Sequence, residues 1–206
     1  MVRLITRSWL KIVLVGLFLA VGIACAKKPF IYVDYRLPPG MDSLEGRTVF
    51  VETNDLRVNK EVFNPRAKKV FKNFTGLFSL SLVKSDDEQT LKGAYTLPRL
   101  FETALKERLQ NMGITIEKEQ SPNTPIFKIE INQFRVNLVG QKWIADISYE
   151  VHLTQDQKTT SRETVTGSAE RLKIMGGGGA EKIMGEIFTE MINRLDINRL
   201  FQQANL

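Results

Sequence analysis

A single cysteine and a single histidine stand in 206 residues, and that scarcity excludes several chemistries at once. One residue of each type cannot assemble a zinc or iron centre, and two thiols are needed for even one disulfide. There is no GxSxG elbow, and His152 falls on a wet strand face with no serine or cysteine beside it, so no nucleophilic triad is signalled. Glu117 and Glu119 stand two apart and can share a strand face, but nothing in the sequence marks a cleft around them. The glycines at 176–179 precede a helical pattern without a Gly-Lys-Ser/Thr ending or a strand-linked GxGxxG, and Glu181 would set a carboxylate where a phosphate should sit. They read as a hinge between strand and helix. Ser85-Asp86-Asp87-Glu88 lacks the spaced oxygen ligands of a calcium loop and reads as a turn. No catalytic residue, cofactor site or metal site is therefore assigned.

Long apolar runs are also missing. The longest, at 12–24, is shorter than the about 20 residues a membrane-spanning helix requires. It follows Arg3, Arg7 and Lys11 and ends on small residues at Cys25, which is the pattern of an export signal. Gly22 and Ala24 directly before the cysteine resemble a bacterial lipobox, although the usual leucine three residues before the cysteine is here Gly22. Three outcomes fit this N-terminus: lipidation of Cys25, ordinary secretion after a cut at Ala24-Cys25-Ala26, or an uncleaved anchor. The lone thiol favours lipidation, because an exported domain otherwise carries a reactive group with no partner. Several acyl chains on one cysteine would hold the protein at a bilayer, each buried methylene contributing about 0.8 kcal/mol. The formal net charge is +6; the three basic residues of the leader face no acid, so the remainder carries +3. That modest balance does not suggest nucleic acid.

The boundaries follow from composition: residues 1–24 as signal peptide, 25–46 as lipidated cysteine and extended tether, and 47–206 as a single α/β domain. Pro29, Pro38 and Pro39 suit a spacer, and only residues 30–37 within it can extend as a strand. Residues 48–52 are β-branched and aromatic enough for a first strand. Residues 59–76 alternate Arg66, Lys68, Lys69 and Lys72 with Val70, Phe71 and Phe74; solvation of a surface loop is the ordinary account, and contact with anionic headgroups is the sharper one. Phe78, Leu80 and Leu82 alternate with serines, as in a half-buried strand. Thr96 precedes a helix whose stripe of Leu97, Leu100, Phe101, Ala104, Leu105, Leu109 and Met112 faces a core and which stops at Gly113. Residues 114–116 follow as a short strand.

The strongest sheet signal runs from Trp143 to Leu153, apolar at every second position. The strand before it changes phase between Ile131 and Phe134, which predicts a β-bulge near Asn132-Gln133, with the hairpin turn at Val139-Gly140-Gln141. A third strand over 161–173 presents Val165, Gly167 and Ala169 inward, small enough for a helix to pack closely. That helix carries Ala180, Ile183, Met184, Ile187, Phe188, Met191, Ile192 and Leu195, with Asp196 capping a last turn; its methionines read as core filler.

These features together resemble the YajG-type lipoproteins of Gram-negative envelopes and, more distantly, LptE-like transport auxiliaries. The likeness rests on Cys25-Ala26-Lys27-Lys28-Pro29, Ser43-Leu44-Glu45-Gly46 before Thr48-Val49-Phe50-Val51, the helix ending at Gly113, Gly167-Ser168-Ala169 and the C-terminal amphipathic helix. It implies a small domain on the periplasmic face of the outer membrane, without enzyme activity, serving as accessory or binding component. The implied partners are the outer membrane through acyl chains on Cys25, an envelope protein and, in the LptE-like case, a lipid or lipopolysaccharide. Ala26 in place of aspartate after the cysteine fits the outer membrane under the enteric sorting convention. The fold expected from the residues themselves is α+β, a largely antiparallel mixed sheet with two amphipathic helices on one face.

Overall fold

A computed structural model describes residues 29–156, 158–173 and 178–206. The expected leader and Cys25, as well as Gly176 and Gly177, lie outside them. In chain order the elements are β1 (Ile31–Arg36), β2 (Thr48–Asp55), α1 (Pro65–Val70), β3 (Phe78–Val83), β4 (Gln89–Tyr95), α2 (Leu97–Gln110), β5 (Thr115–Glu117), β6 (Ile126–Val139), β7 (Lys142–Gln155), β8 (Lys158–Leu172), α3 (Gly178–Arg194) and α4 (Ile197–Gln203). The class is α+β as expected, but the strands form two sheets. A five-stranded sheet runs β5-β2-β6-β7-β8 and a three-stranded one β1-β3-β4.

Alternation built the large sheet. Trp143, Ala145, Ile147, Tyr149, Val151 and Leu153 of β7 are all buried, and their neighbours point outward. Ile131 pairs with Tyr149 and Gln133 with Ser148, so Asn132 is the extra residue of the expected bulge, restoring Phe134, Val136 and Leu138 to the inner face. Gly140, at φ +59°, turns the chain between β6 and β7. The core lies between this inner face and a second layer of α2, α3 and the small sheet. Phe101 of α2 sits at its centre, edge-on to Phe134, Tyr149 and Phe188 with ring centroids 5.2–6.0 Å apart. At Gly167 a Cβ would lie 2.3 Å from Met191 Sδ, so the small residue of β8 is what admits α3.

Three stretches depart from the expectations. Residues 31–36, read as tether, are a buried strand: Ile31, Val33 and Tyr35 are at most 1 % exposed, because β1 pairs in parallel with β3 and packs beside α3. Ser79 and Ser81 of β3, expected on a wet face, are buried. They are short side chains on the middle strand, flanked across the register by Tyr32, Asp34 and Leu91. The third is residues 59–76, read as a surface loop or helix. Its apolar side chains turn inward: Phe63 is buried and stacks on Phe71 at 4.9 Å, and Phe74 meets Phe63 and Phe78. Asn64 caps α1 by accepting from the Ala67 amide. β4, an exposed edge strand, carried no alternation in the sequence.

α3 lies along β1 and occupies its outer edge. Thr189 Oγ1 accepts from the Arg36 amide and donates to the Asp34 carbonyl, and Asn193 donates to the Arg36 carbonyl. Gly185 permits the approach, since a Cβ there would stand 3.2 Å from the Asp34 carbonyl oxygen.

Candidate functional site

Two features of the described residues are shaped for contact: the outer face of the large sheet and an aromatic-floored concavity beside α1. On the outer face, register sets polar side chains in rungs. Glu52, Lys128, His152 and Arg162 are successive neighbours across β2, β6, β7 and β8. The next rung is Asn54, Glu130, Glu150 and Thr164. Two carboxylates directly opposite one another would repel, and the basic rung offsets this. Lys128 Nζ lies 2.7 Å from Glu130 Oε1; that bond lowers the carboxyl and raises the lysine. His152 Nε2 lies 3.2 Å from Glu130 Oε2 and 3.6 Å from Glu150 Oε1.

His152 is thus half-buried between two carboxylates, at 17 % side-chain exposure, where the sequence alone suggested simple exposure. The strand face was read correctly; its shielding comes from neighbours that only the register supplies. Glu117 and Glu119 are not brought to this site. Glu117 accepts from Thr124 at 2.7 Å on the far edge, and Glu119 is exposed in the loop beyond. Of the glycine run, Gly179 packs on the Trp143 ring edge, where a Cβ would lie 3.4 Å from Cδ1. Among the described residues no cluster of histidine, cysteine and acidic side chains has the arrangement of a metal site.

The second feature is a concavity of about 550 Å³ floored by Phe63, Phe71, Phe74 and Phe78 and rimmed by Arg57, Lys60, Lys68 and Lys72. At one side sits an ion-pair knot that the sequence reading missed. Asp55 accepts from Arg57 Nε and Nη2, both at 2.9 Å, and meets Lys60 Nζ at 3.1 Å. Burial alone would raise this carboxyl, but the bonds from Arg57 and Lys60 together outweigh it and hold it down at about 2. The signal was local, an acid and a base two residues apart at a strand end. Beneath the inner face, Arg108 donates to the carbonyls of Ile192 and Leu195 at the end of α3, the second at 2.7 Å. Tyr149 donates to the Met191 carbonyl at 2.9 Å. Burial lowers the Arg108 guanidinium and raises the phenols of Tyr35 and Tyr149. This polar group ties helix to sheet.

Against solved structures the chain superposes on protein XCC0632 of Xanthomonas campestris, family DUF330, with a TM-score of 0.53 at 14% identity over 84% of this chain and 95% of that one. The two share a fold. Weaker likenesses include a minor lipoprotein of Acinetobacter baumannii (TM-score 0.38, 9% identity, 74% of this chain and 92% of that one). Lipoprotein GNA1162 of Neisseria meningitidis is weaker again (TM-score 0.28, 9% identity, 72% and 99%). Two of these three are bacterial lipoproteins by name and none is named as an enzyme. No family model and no curated protein matches the sequence. No described helix is long and apolar enough to cross a membrane.

Proposed function

We propose that this chain is a non-catalytic lipoprotein of a bacterial envelope. Acyl chains on Cys25 hold it at the periplasmic face of the outer membrane, and it binds another component of an envelope assembly or transport complex through its outer sheet face or a strand edge. The observation that carries this reading is the spacing between thiol and fold. An export-type leader ends on the sole cysteine, and four residues later Pro29 already accepts a hydrogen bond from the Thr75 amide at 3.1 Å. The resemblance to YajG-type lipoproteins points the same way. Metabolic labelling with a fatty-acid probe tests it: label on the wild type and none on Cys25→Ala is expected, and equal label on both rejects the anchor. A secreted domain without an anchor is what would then remain. Recovery of a reproducible partner from gently solubilised membranes tests the accessory role, and repeated recovery of the protein alone counts against it.

The aromatic floor beside α1 favours one second reading, an LptE-like lipid or lipopolysaccharide carrier. Native mass spectrometry before and after delipidation decides it, because a carrier leaves the cell with lipid bound.

A further inference from the structure

Charge on this protein is concentrated at one end. Residues 57–76 hold six basic side chains and one acidic one, a surplus of five within a post-leader chain whose whole surplus is three. Several of these cations are already matched: Arg57 and Lys60 by Asp55, Lys68 by Glu61. Arg66, Lys69 and Lys72 are exposed and make no ion pair among the described residues.

The same end is where the chain emerges toward Cys25. Thr75 donates to the Pro29 carbonyl through both its amide and its hydroxyl, each at 3.1 Å. Four residues at full stretch reach about 14 Å, so the sulfur of Cys25 cannot be farther than that, plus its own side chain, from residue 29. Lys27 and Lys28 fall between those two residues in the sequence. The tip of the β6–β7 hairpin closes the same end: Asn64 beside α1 donates to the Leu138 carbonyl at 3.1 Å, and Phe71 meets Trp143 at 5.7 Å. There Val139 and Leu172, 54 % and 68 % exposed, flank Lys142 across the register, and the charge of Lys142 is matched by Glu170 at 2.8 Å. The free cations Arg66, Lys69 and Lys72, with exposed aliphatic side chains on the neighbouring hairpin and a lipid attachment point within reach, match a surface of anionic phospholipid.

The geometry points to a fixed seat for the domain. The end built from α1, residues 71–76 and the β6–β7 turn docks on the anionic headgroups of the bilayer that anchors Cys25, leaving the far end of β8 pointing away. This rests on the anchor proposed above. A basic side chain near an anionic surface contributes about fivefold in occupancy, so replacing Arg66, Lys69 and Lys72 together by glutamine should lower the ratio of docked to free protein on the order of a hundredfold.

The test uses full-length acylated protein in vesicles of phosphatidylcholine, alone or in equal parts with phosphatidylglycerol, each carrying a headgroup quencher. A fluorophore is placed on Asn73→Cys or, at the far end, on Thr159→Cys. Stronger quenching at 73 than at 159, dependent on phosphatidylglycerol, weakened by salt and abolished by the triple glutamine variant, is expected. Equal quenching at both positions, or quenching at 73 that ignores lipid charge, overturns the docking; the salt series on the unsubstituted face reads this without relying on the triple variant. Flotation with neutral vesicles at high salt reads the anchor separately. Protein that fails to float while still quenched at 73 only on phosphatidylglycerol defeats the anchor and upholds this face; protein that floats with equal quenching defeats the docking alone.

Discussion

Replacing Asp55 by asparagine should destabilise the domain by an amount that depends on pH in a calculable way. In the folded chain the carboxyl is held at about 2 against an ordinary 3.8, and its side chain is 17 % exposed. A shift of that size corresponds to about 2 kcal/mol of extra stability when the group is ionised in both states. Because the folded value is the lower one, the contribution is fully present above about pH 5, is roughly halved near pH 3 and is nearly gone at about pH 2, as protons reach the unfolded chain first. Asparagine cannot ionise, so the Asp55→Asn variant loses this contribution at neutral pH and has nothing to lose in acid. Urea unfolding of both proteins at pH 7, 4 and 2.5 measures it. With a slope of about 2 kcal/mol/M, the midpoints should differ by about 1 M at pH 7 and converge as pH falls. A gap that stays constant across the series would refute the linkage, showing that Asp55 acts through its shape or its neutral hydrogen bonds.

Arg108→Met keeps much of the apolar stem but leaves the carbonyls of Ile192 and Leu195 without their donor; a loss of about 2–4 kcal/mol is expected by denaturant unfolding, and a loss below about 0.5 would mean those groups find other partners. Gly167→Val drives a side chain into the space of Met191 and should cost about 1–3 kcal/mol; adding Met191→Ala should return part of it, whereas additive losses would contradict the close approach of β8 and α3.

Where periodicity was strong, the sequence disclosed the structure. α2 ends beside Gly113, which at φ +86° brings its backbone against Glu45, and the slip between Ile131 and Phe134 placed the bulge near Asn132-Gln133, which the register narrows to Asn132. The small sheet was hidden for physical reasons. β1 lies among prolines that suggest a spacer, β4 is a polar edge with nothing to alternate against, and the parallel pairing of β1 with β3 joins segments more than forty residues apart, which no local pattern encodes. The contact surfaces were half legible for the same reason. Alternation put Glu150 and His152 on one wet face, but their meeting with Glu130 depends on pairing with β6, and the aromatics of residues 63–74 looked like loop decoration until the concavity they floor came together.

β1 is the strand by which the folded body receives the chain, and it is gripped on both flanks, by β3 through six register pairs and by Thr189 and Asn193 of α3. A pull on residue 29 directed along β1 would load the β1–β3 ladder in shear, its bonds sharing the load instead of being peeled one at a time. Such a pull thus meets the two-sided grip on β1 before it reaches α4 or the turn between β7 and β8.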